Sequence, residues 1–442
     1  MDLSQLAADL RDAPVRRRIG RVARAGQGAL RIEGLAPVAR LGDRIRVSDR
    51  EGQVSTDGEI VALEDGLATA MTYGSALGIG LGDAVELTPD RGPRPCAGWL
   101  GRVLDAFGKP LDGRPAPQGE AAPLRASPPA PMERRRLGPR LATGLSLFDT
   151  LLPLVRGQRI GLFAGSGVGK STLLASFARG VQADCAVIAL IGERGREARD
   201  FVESVLGPDG LARSAVICAT SDRSPLEKRR AAWTAMAAAE RLRAEGRHVL
   251  LLMDSLTRFA ESHREVALTA GEPPSLRAYP PSTSAMLAEL AERAGPGPEG
   301  EGDITAVFSI LVAGSDMDEP VADMARGLLD GHVVLSREIA ERGRFPAVDV
   351  GRSVSRALPG CAAPAELELI AEARRISAVR ERAEPMLQAG LWQSGADPDA
   401  DRALRLHPAL EAFCTAASPD PDDAFARLAK ALERSAPAAR NR

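Results

Sequence analysis

A glycine-rich loop of eight residues, Ala164-Gly-Ser-Gly-Val-Gly-Lys-Ser171, works only where a buried parallel strand runs directly into a helix. Both flanks meet that demand. Arg159-Ile-Gly-Leu-Phe163 is a short apolar run of strand character. Thr172-Leu-Leu-Ala-Ser-Phe-Ala-Arg179 spaces Leu173, Leu174, Phe177 and Ala178 along one side of a helix. Glycines let successive backbone N–H groups turn inward around an anion, and the helix aims its positive end at the same point. Gly165, Ser166, Gly167, Val168 and Gly169 are therefore the expected phosphate cradle, continued into the helix by Lys170, Ser171 and Thr172. Lys170 is the residue to reach the β and γ phosphates, and the Ser171 hydroxyl the one to ligate Mg²⁺. Lys and Arg total 57, yet only Lys109, Lys170, Lys228 and Lys430 are lysines. A chain that uses Arg almost everywhere keeps Lys where a compact point charge is needed rather than a planar fork. A chance loop in a chain of 44 glycines is the alternative, and it leaves the agreement of strand, Lys-Ser pair and helix unexplained.

The rest of the chain divides by pattern. Residues 1–18 read either as a short amphipathic helix, with Leu3, Leu6 and Leu10 at helical spacing, or as a frayed terminus. Over residues 19–90, short β-rich segments such as Ile19-Gly-Arg-Val-Ala, Asp43-Arg-Ile-Arg-Val-Ser and Asp83-Ala-Val-Glu-Leu alternate with Gly and Asp turns. That spacing predicts a small antiparallel barrel. Residues 91–360 form a nucleotide-binding domain in which a Pro-rich extended connector (112–139) leads into alternating strands and helices. Apolar runs at Ile160–Ala164, Ala186–Ile191, Ala215–Cys218, Val249–Met253 and Ile304–Val312 predict a mainly parallel sheet, hence an α/β fold. Residues 361–442 read as all-helical, with helix continuing to about Ser435.

Hydrolysis needs more than a cradle. The run Val249-Leu-Leu-Leu-Met253 ends in Asp254, and a carboxylate at the end of a buried strand lies at the rim where α/β sheets bind ligands. Asp254 is the expected Mg²⁺ partner acting through water, with a helix N-cap as the alternative. Ala186–Ile191 is followed by Gly192-Glu193-Arg194-Gly195-Arg196-Glu197. Glu193 is either the base that polarises water or one member of a solvated salt-bridge face. Arg194 would hold Glu193 or a phosphate. Arg356, in Ser353-Val-Ser-Arg356, has no role that pattern alone assigns.

Composition excludes several classes. A net charge of −2 gives no long-range pull toward nucleic acid or anionic lipid, and 3% aromatic content leaves little for base stacking. No apolar run approaches the ~20 residues of a bilayer span, and Met1-Asp-Leu-Ser lacks signal-peptide character. Cys96, Cys185, Cys218, Cys361 and Cys414 are scattered, which fits buried free thiols in a reducing cytosol. The expectation is a cytoplasmic protein.

From about Ile19 onward the chain resembles the catalytic ATPases of the rotary and type III secretion superfamily. Gly101-Arg-Val-Leu-Asp-Ala-Phe-Gly-Lys-Pro-Leu-Asp-Gly113 is similar to the segment after the barrel in F-type β subunits. The stretch from Thr143-Gly-Leu through Arg156 to Ser171 is similar to flagellar and injectisome export ATPases. Ala313-Gly-Ser-Asp-Met-Asp-Glu-Pro-Val-Ala-Asp323 and Arg326-Gly-Leu-Leu-Asp-Gly-His-Val-Val-Leu-Ser-Arg337 point the same way. The resemblance implies a RecA-like core between barrel and helices, and Mg²⁺-dependent ATP hydrolysis in a homohexamer. It implies Glu193 as catalytic base, Arg356 acting in trans on the neighbouring subunit's site, and Phe345 against the adenine ring. It further implies service in type III protein export, most naturally flagellar, at the inner-membrane export apparatus. The implied partners are a stator-like regulator, a central stalk protein, an export gate and chaperone–substrate complexes. Two segments depart from the pattern: a short extension before the barrel, where the regulator binds in that family, and an Ala- and Ser-rich middle in Ala278–Gly295. A rotary F- or V-type synthase subunit is the close alternative, and a nucleic-acid translocase resembling the terminator Rho is a distant one.

Overall fold

The computed structural model describes residues 17–26, 28–312 and 317–433. The possible helix over residues 1–18 lies, up to residue 16, outside the described residues, as do residues 313–316 of the Ala313–Asp323 segment. Alternating apolar residues between Ile19 and Thr88 become six strands: β1 (Ile19–Gly26), β2 (Ala29–Glu33), β3 (Arg44–Ser48), β4 (Val54–Glu64), β5 (Leu67–Thr72) and β6 (Ala84–Thr88). They close into the expected barrel in the order β1-β2-β5-β4-β3-β6, with every pairing antiparallel. Closure leaves no free edge, and Leu30, Ile32, Ile45, Val47, Ile60 and Val85 fill the interior. Gly58 is required for this packing, because a Cβ there would lie 2.3 Å from the Met71 carbonyl oxygen. By contact, the barrel with residues 223–227 and 261–282 forms one compact unit, and the remaining residues from 92 onward form a second.

The second unit is built on a nine-stranded sheet. Its strands are β7 (Arg102–Leu104), β8 (Arg159–Ala164), β9 (Cys185–Ile191), β10 (Ser214–Ala219), β11 (His248–Asp254), β12 (Gly295–Pro296), β13 (Asp303–Leu311), β14 (Gly331–Leu335) and β15 (Val348–Ser355). The order is β15-β14-β8-β13-β11-β9-β10-β7, with β12 beside β13. β7 through β14 run parallel except for β12, and β15 is antiparallel at the edge. Every residue of β9, β10 and β11 is buried, which explains their unbroken apolar runs. Parallel direction has one consequence for function: the C-terminal ends of β8, β13, β11 and β9 form a contiguous rim. Register fixes their heights, with Ala164 opposite Leu311 and Asp254 opposite Leu190.

The connector 112–139 contains neither helix nor strand, as its prolines predict. Arginines pin it instead. Arg125 Nε donates to Glu289 Oε1 at 2.9 Å, Arg135 reaches Asp303 at 2.6 Å, and the fully buried Arg293 donates to the Leu124 carbonyl at 2.9 Å. The C-terminal helices Pro364–Gln388, Pro398–Thr415 and Pro421–Ala431 each begin with Pro, whose missing N–H costs nothing in the first turn. The last of them stops at Ala431, and Ser435 lies outside the described residues. Leu369, Ile370, Ala373, Leu406, Phe413 and Phe425 join the core of the sheet layer. Ser418 Oγ donates to the buried Asp149 at 2.8 Å, and Arg140 pairs with Glu366 at 2.7 Å. No disulfide links the five cysteines. Cys185, Cys218 and Cys414 are buried, whereas Cys96 and Cys361 are only half-buried, against the expectation of buried thiols throughout.

His248 opens β11 in a buried position, its Nε2 2.8 Å from Thr305 Oγ1. Burial, aided by the Arg156 guanidinium, pushes its pKa down to about 4. The folded protein thus binds this proton later than the unfolded chain does, and stability falls as pH drops from about 6.5. The loss at pH 5 is about 2 kcal/mol. Thermal melts from pH 7 to pH 5 are expected to show a steeper loss for the native protein than for His248→Gln. Parallel slopes would refute the assignment.

Candidate active site

The chain leaves β8 at Ala164 and turns through the phosphate loop, where Gly167 (φ 76°) and Gly169 (φ 87°) occupy the left-handed region. Other residues would be strained there, so the sequence Gly-Val-Gly is what lets the loop close. Gly169 is the N-cap of the helix Lys170–Gly180. Val168 is buried and anchors the loop from beneath, whereas Ser166, Gly167, Ser171 and Thr172 are exposed on the side where a ligand would lie. The loop and the first turn of its helix therefore present backbone N–H groups, three hydroxyls and the positive end of an eleven-residue helix on that side.

Lys170 is held from two sides. Its Nζ lies 3.2 Å from Glu193 Oε1 and is also ion-paired with Asp254 Oδ1. Asp254 ends β11, and Glu193 follows β9 after the turn at Gly192, so two adjacent parallel strands deliver the two carboxylates. Asp254 is 3% exposed, and Ser309 Oγ on β13 donates to its Oδ1 at 2.6 Å. Burial by itself would lower the Lys170 ammonium, but Asp254 and Glu193 outweigh it and hold the pKa above the ordinary lysine value. Burial also lifts the Glu193 carboxyl above the usual glutamate range; Lys170 opposes this and Asp254 adds to it. A carboxylate raised in this way is suited to take a proton from water.

The remaining predicted residues fall at different places. Phe345 is half-exposed, and its ring borders the loop: a Cβ on Gly169 would lie 3.1 Å from Phe345 Cδ1. Arg194 does not hold Glu193. Its exposed guanidinium turns to Glu197 Oε1 at 2.9 Å, because the two sit three residues apart at the start of the helix Gly195–Asp200. Lys170 takes the place beside Glu193 instead. Arg356 follows β15 at the sheet edge, exposed, with Nη2 donating to the Arg326 carbonyl at 3.1 Å; it has no hydrogen bond or ion pair to the Lys170 cluster. Two contacts escaped the sequence. Ser309 lies within the apolar run Ile304–Val312, where its hydroxyl near the strand end was the available signal. Arg337 Nη2 approaches the Ser166 carbonyl at 3.4 Å, and nothing in its charge or position marked it out.

Comparison with known proteins identifies the family. Residues 144–355 match the ATP synthase alpha/beta family nucleotide-binding domain, and residues 362–430 match the T3SS EscN ATPase C-terminal domain. The flagellum-specific ATP synthase of Caulobacter vibrioides is 44% identical over 94% of this chain and 96% of its own. The type 3 secretion system ATPase of Xanthomonas euvesicatoria is 41% identical over 97% of this chain and 96% of its own. The assembled ATPase EscN of enteropathogenic E. coli superposes with a TM-score of 0.84 at 34% identity, covering 93% of this chain and all of EscN. The secretion-specific C-terminal match makes the rotary-subunit alternative the weaker one. A relationship at this identity over more than nine-tenths of both chains, joined to the barrel, the sheet and the phosphate loop, leaves one conclusion. The chain belongs to the family of flagellum-specific ATP synthases and type III secretion system ATPases, and is an ATPase of that family.

Proposed function

We propose that this chain hydrolyses ATP between the subunits of a homohexameric ring and thereby energises type III protein export, flagellar components foremost. The observation that carries this reading is the position of Lys170, clamped between Glu193 and Asp254 beneath an open phosphate loop. Such a lysine is charged, nearly desolvated and one short movement from an arriving phosphate. Binding begins as the backbone of Gly165–Gly169 takes the phosphates, with Thr172 at the helix start. Lys170 then transfers from the two carboxylates to the β and γ oxygens, which frees Glu193. Glu193 accepts a proton as water attacks the γ phosphorus, ADP leaves with the bridging oxygen, and inorganic phosphate forms. Phe345 stacks on the adenine. Arg194, whose partner is Glu197, would act on a phosphate and not through Glu193. Arg356 of one subunit completes the site of the next.

Ser171 and Asp254 present hard oxygen donors of the kind Mg²⁺ takes, and these residues would hold the ion, Asp254 through water. When bound, Mg²⁺ neutralises charge that builds on the phosphate oxygens. The relative EscN has been solved with its central stalk EscO, which supports a stalk protein in the ring here. Further partners on this reading are a stator-like regulator, the export gate and chaperone–substrate complexes, with the protein cytoplasmic and peripheral to the inner membrane. No helix among the described residues is long and apolar enough to cross a membrane.

Phosphate release from ATP by the purified full chain tests the reading. Turnover is expected without any paralogous subunit and should vanish when EDTA removes Mg²⁺. Turnover that appears only after adding such a subunit would favour the rotary alternative, and EDTA-resistant turnover would refute the site.

A further inference from the structure

Phe345 sits on a six-residue bend between the helix Arg337–Glu341 and β15, and the residue before it is tied elsewhere. Arg344 Nη2 donates to the Val348 carbonyl at 2.6 Å, which sets the shape of the bend itself. Its Nε lies 3.1 Å from Glu411 Oε2 on the C-terminal helix Pro398–Thr415. The Arg344 side chain is 10% exposed and that of Glu411 40%, so the guanidinium depends on this partner more than the carboxylate does. The helix bearing Glu411 is fixed, because Leu406 and Phe413 on its other side belong to the core. The bend is not fixed in the same way. Behind it lies a cavity of about 370 Å³ lined by Ile339, Arg344, Val350, Leu410, Glu411 and Cys414. A packed interior resists displacement, whereas a void beside a bend lets it shift. The bend therefore has room to move, a ring against the phosphate loop at one end, and two charged links to the C-terminal helices, of which Arg344–Glu411 is the close one and Arg342–Glu384, at 3.9 Å, the long one.

We propose that Arg344 and Glu411 are a positioning pair through which the C-terminal helices hold the Phe345 ring at the height that adenine requires. The pair does not touch the reacting atoms; it sets nucleotide affinity. This rests on the reading of Phe345 as the adenine platform. Breaking the tether leaves the phosphate chemistry of Lys170, Glu193 and Asp254 in place, so KM moves and kcat does not. Conversely, whatever displaces the C-terminal helices, such as a bound partner, changes the affinity for ATP through this pair.

The test uses the full-length chain. Glu411→Gln is expected to raise KM for ATP by up to about fivefold, with kcat held within about twofold, as befits loss of one partly exposed ion pair. In a Phe345→Ala background, which itself raises KM, Glu411→Gln is expected to add nothing, because the ring through which it acts is gone. Arg344→Lys retains charge and should fall between native protein and Glu411→Gln, which covers the case of Arg344→Ala failing to fold. A KM unmoved by Phe345→Ala overturns the platform. A KM moved by Phe345→Ala but not by Glu411→Gln overturns the tether alone. A lowered melting temperature with unchanged KM makes the pair merely structural and also overturns it.

Discussion

Lys170→Ala is expected to lower ATP turnover by about 10²–10³-fold and to weaken nucleotide binding, while Glu193→Gln lowers turnover by about 10²–10⁴-fold and leaves binding nearly intact. The difference follows from what each side chain does in the site. Lys170 neutralises two carboxylates whose side chains are 4% and 23% exposed. Removing it leaves Asp254 buried with only the Ser309 hydroxyl, a cost of about 3–5 kcal/mol for an uncompensated buried charge. The Lys170→Ala protein should therefore also melt lower. Glu193→Gln removes one negative charge from a site that has two, so Lys170 keeps Asp254 and the empty protein should melt near the native value. Phosphate release, nucleotide affinity and melting temperature in the two variants decide the matter. If Glu193→Gln turns over at the native rate, Glu193 is not the base.

Sequence pattern gave the architecture wherever one segment carries its own explanation. The phosphate loop needs its strand and helix next to it in the chain, and Asp254 and Glu193 could be placed at the sheet rim because each ends an apolar run. The contacts of Lys170 were not legible. That Lys170 spans both carboxylates depends on β8, β11 and β9 ending at matched heights with β13 between two of them, and register is a property of pairing. Ser309 was hidden for the same reason: its value comes from Asp254 on the next strand. Arg194 turns from Glu193 for a local reason, since at the start of a helix the residue three positions on is nearer than the residue before. Pro content identified the connector but not the arginines that pin it, because their acceptors are mostly backbone carbonyls far along the chain. The Arg344–Glu411 tether joins residues in two regions that the sequence divides, and charge alone, in a chain with 26% charged residues, could not pair them.

Arg356→Ala is expected to lower kcat by about 10³-fold or more, as loss of an arginine that stabilises phosphoryl transfer does, with nucleotide binding retained. The trans role is what the family resemblance implies; in the structure Arg356 lies exposed at the edge beyond β15, with its guanidinium on the Arg326 carbonyl. Mixing separates the cases. Lys170→Ala protein keeps Arg356, and Arg356→Ala protein keeps Lys170, so a ring containing both restores a whole site wherever the intact halves meet. With random mixing in equal amounts, roughly one site in four recovers. An arginine acting within its own chain predicts no recovery at any ratio, since neither variant then contains a whole site. The shape of the mixing curve adds a further distinction. Recovery that peaks near equal proportions and vanishes at either extreme requires the two halves to come from different subunits, whereas slow exchange of unmixed rings yields a flat line. Co-expression of the two variants, so that subunits meet before assembly, removes that kinetic barrier and leaves the geometry of the shared site as the variable measured.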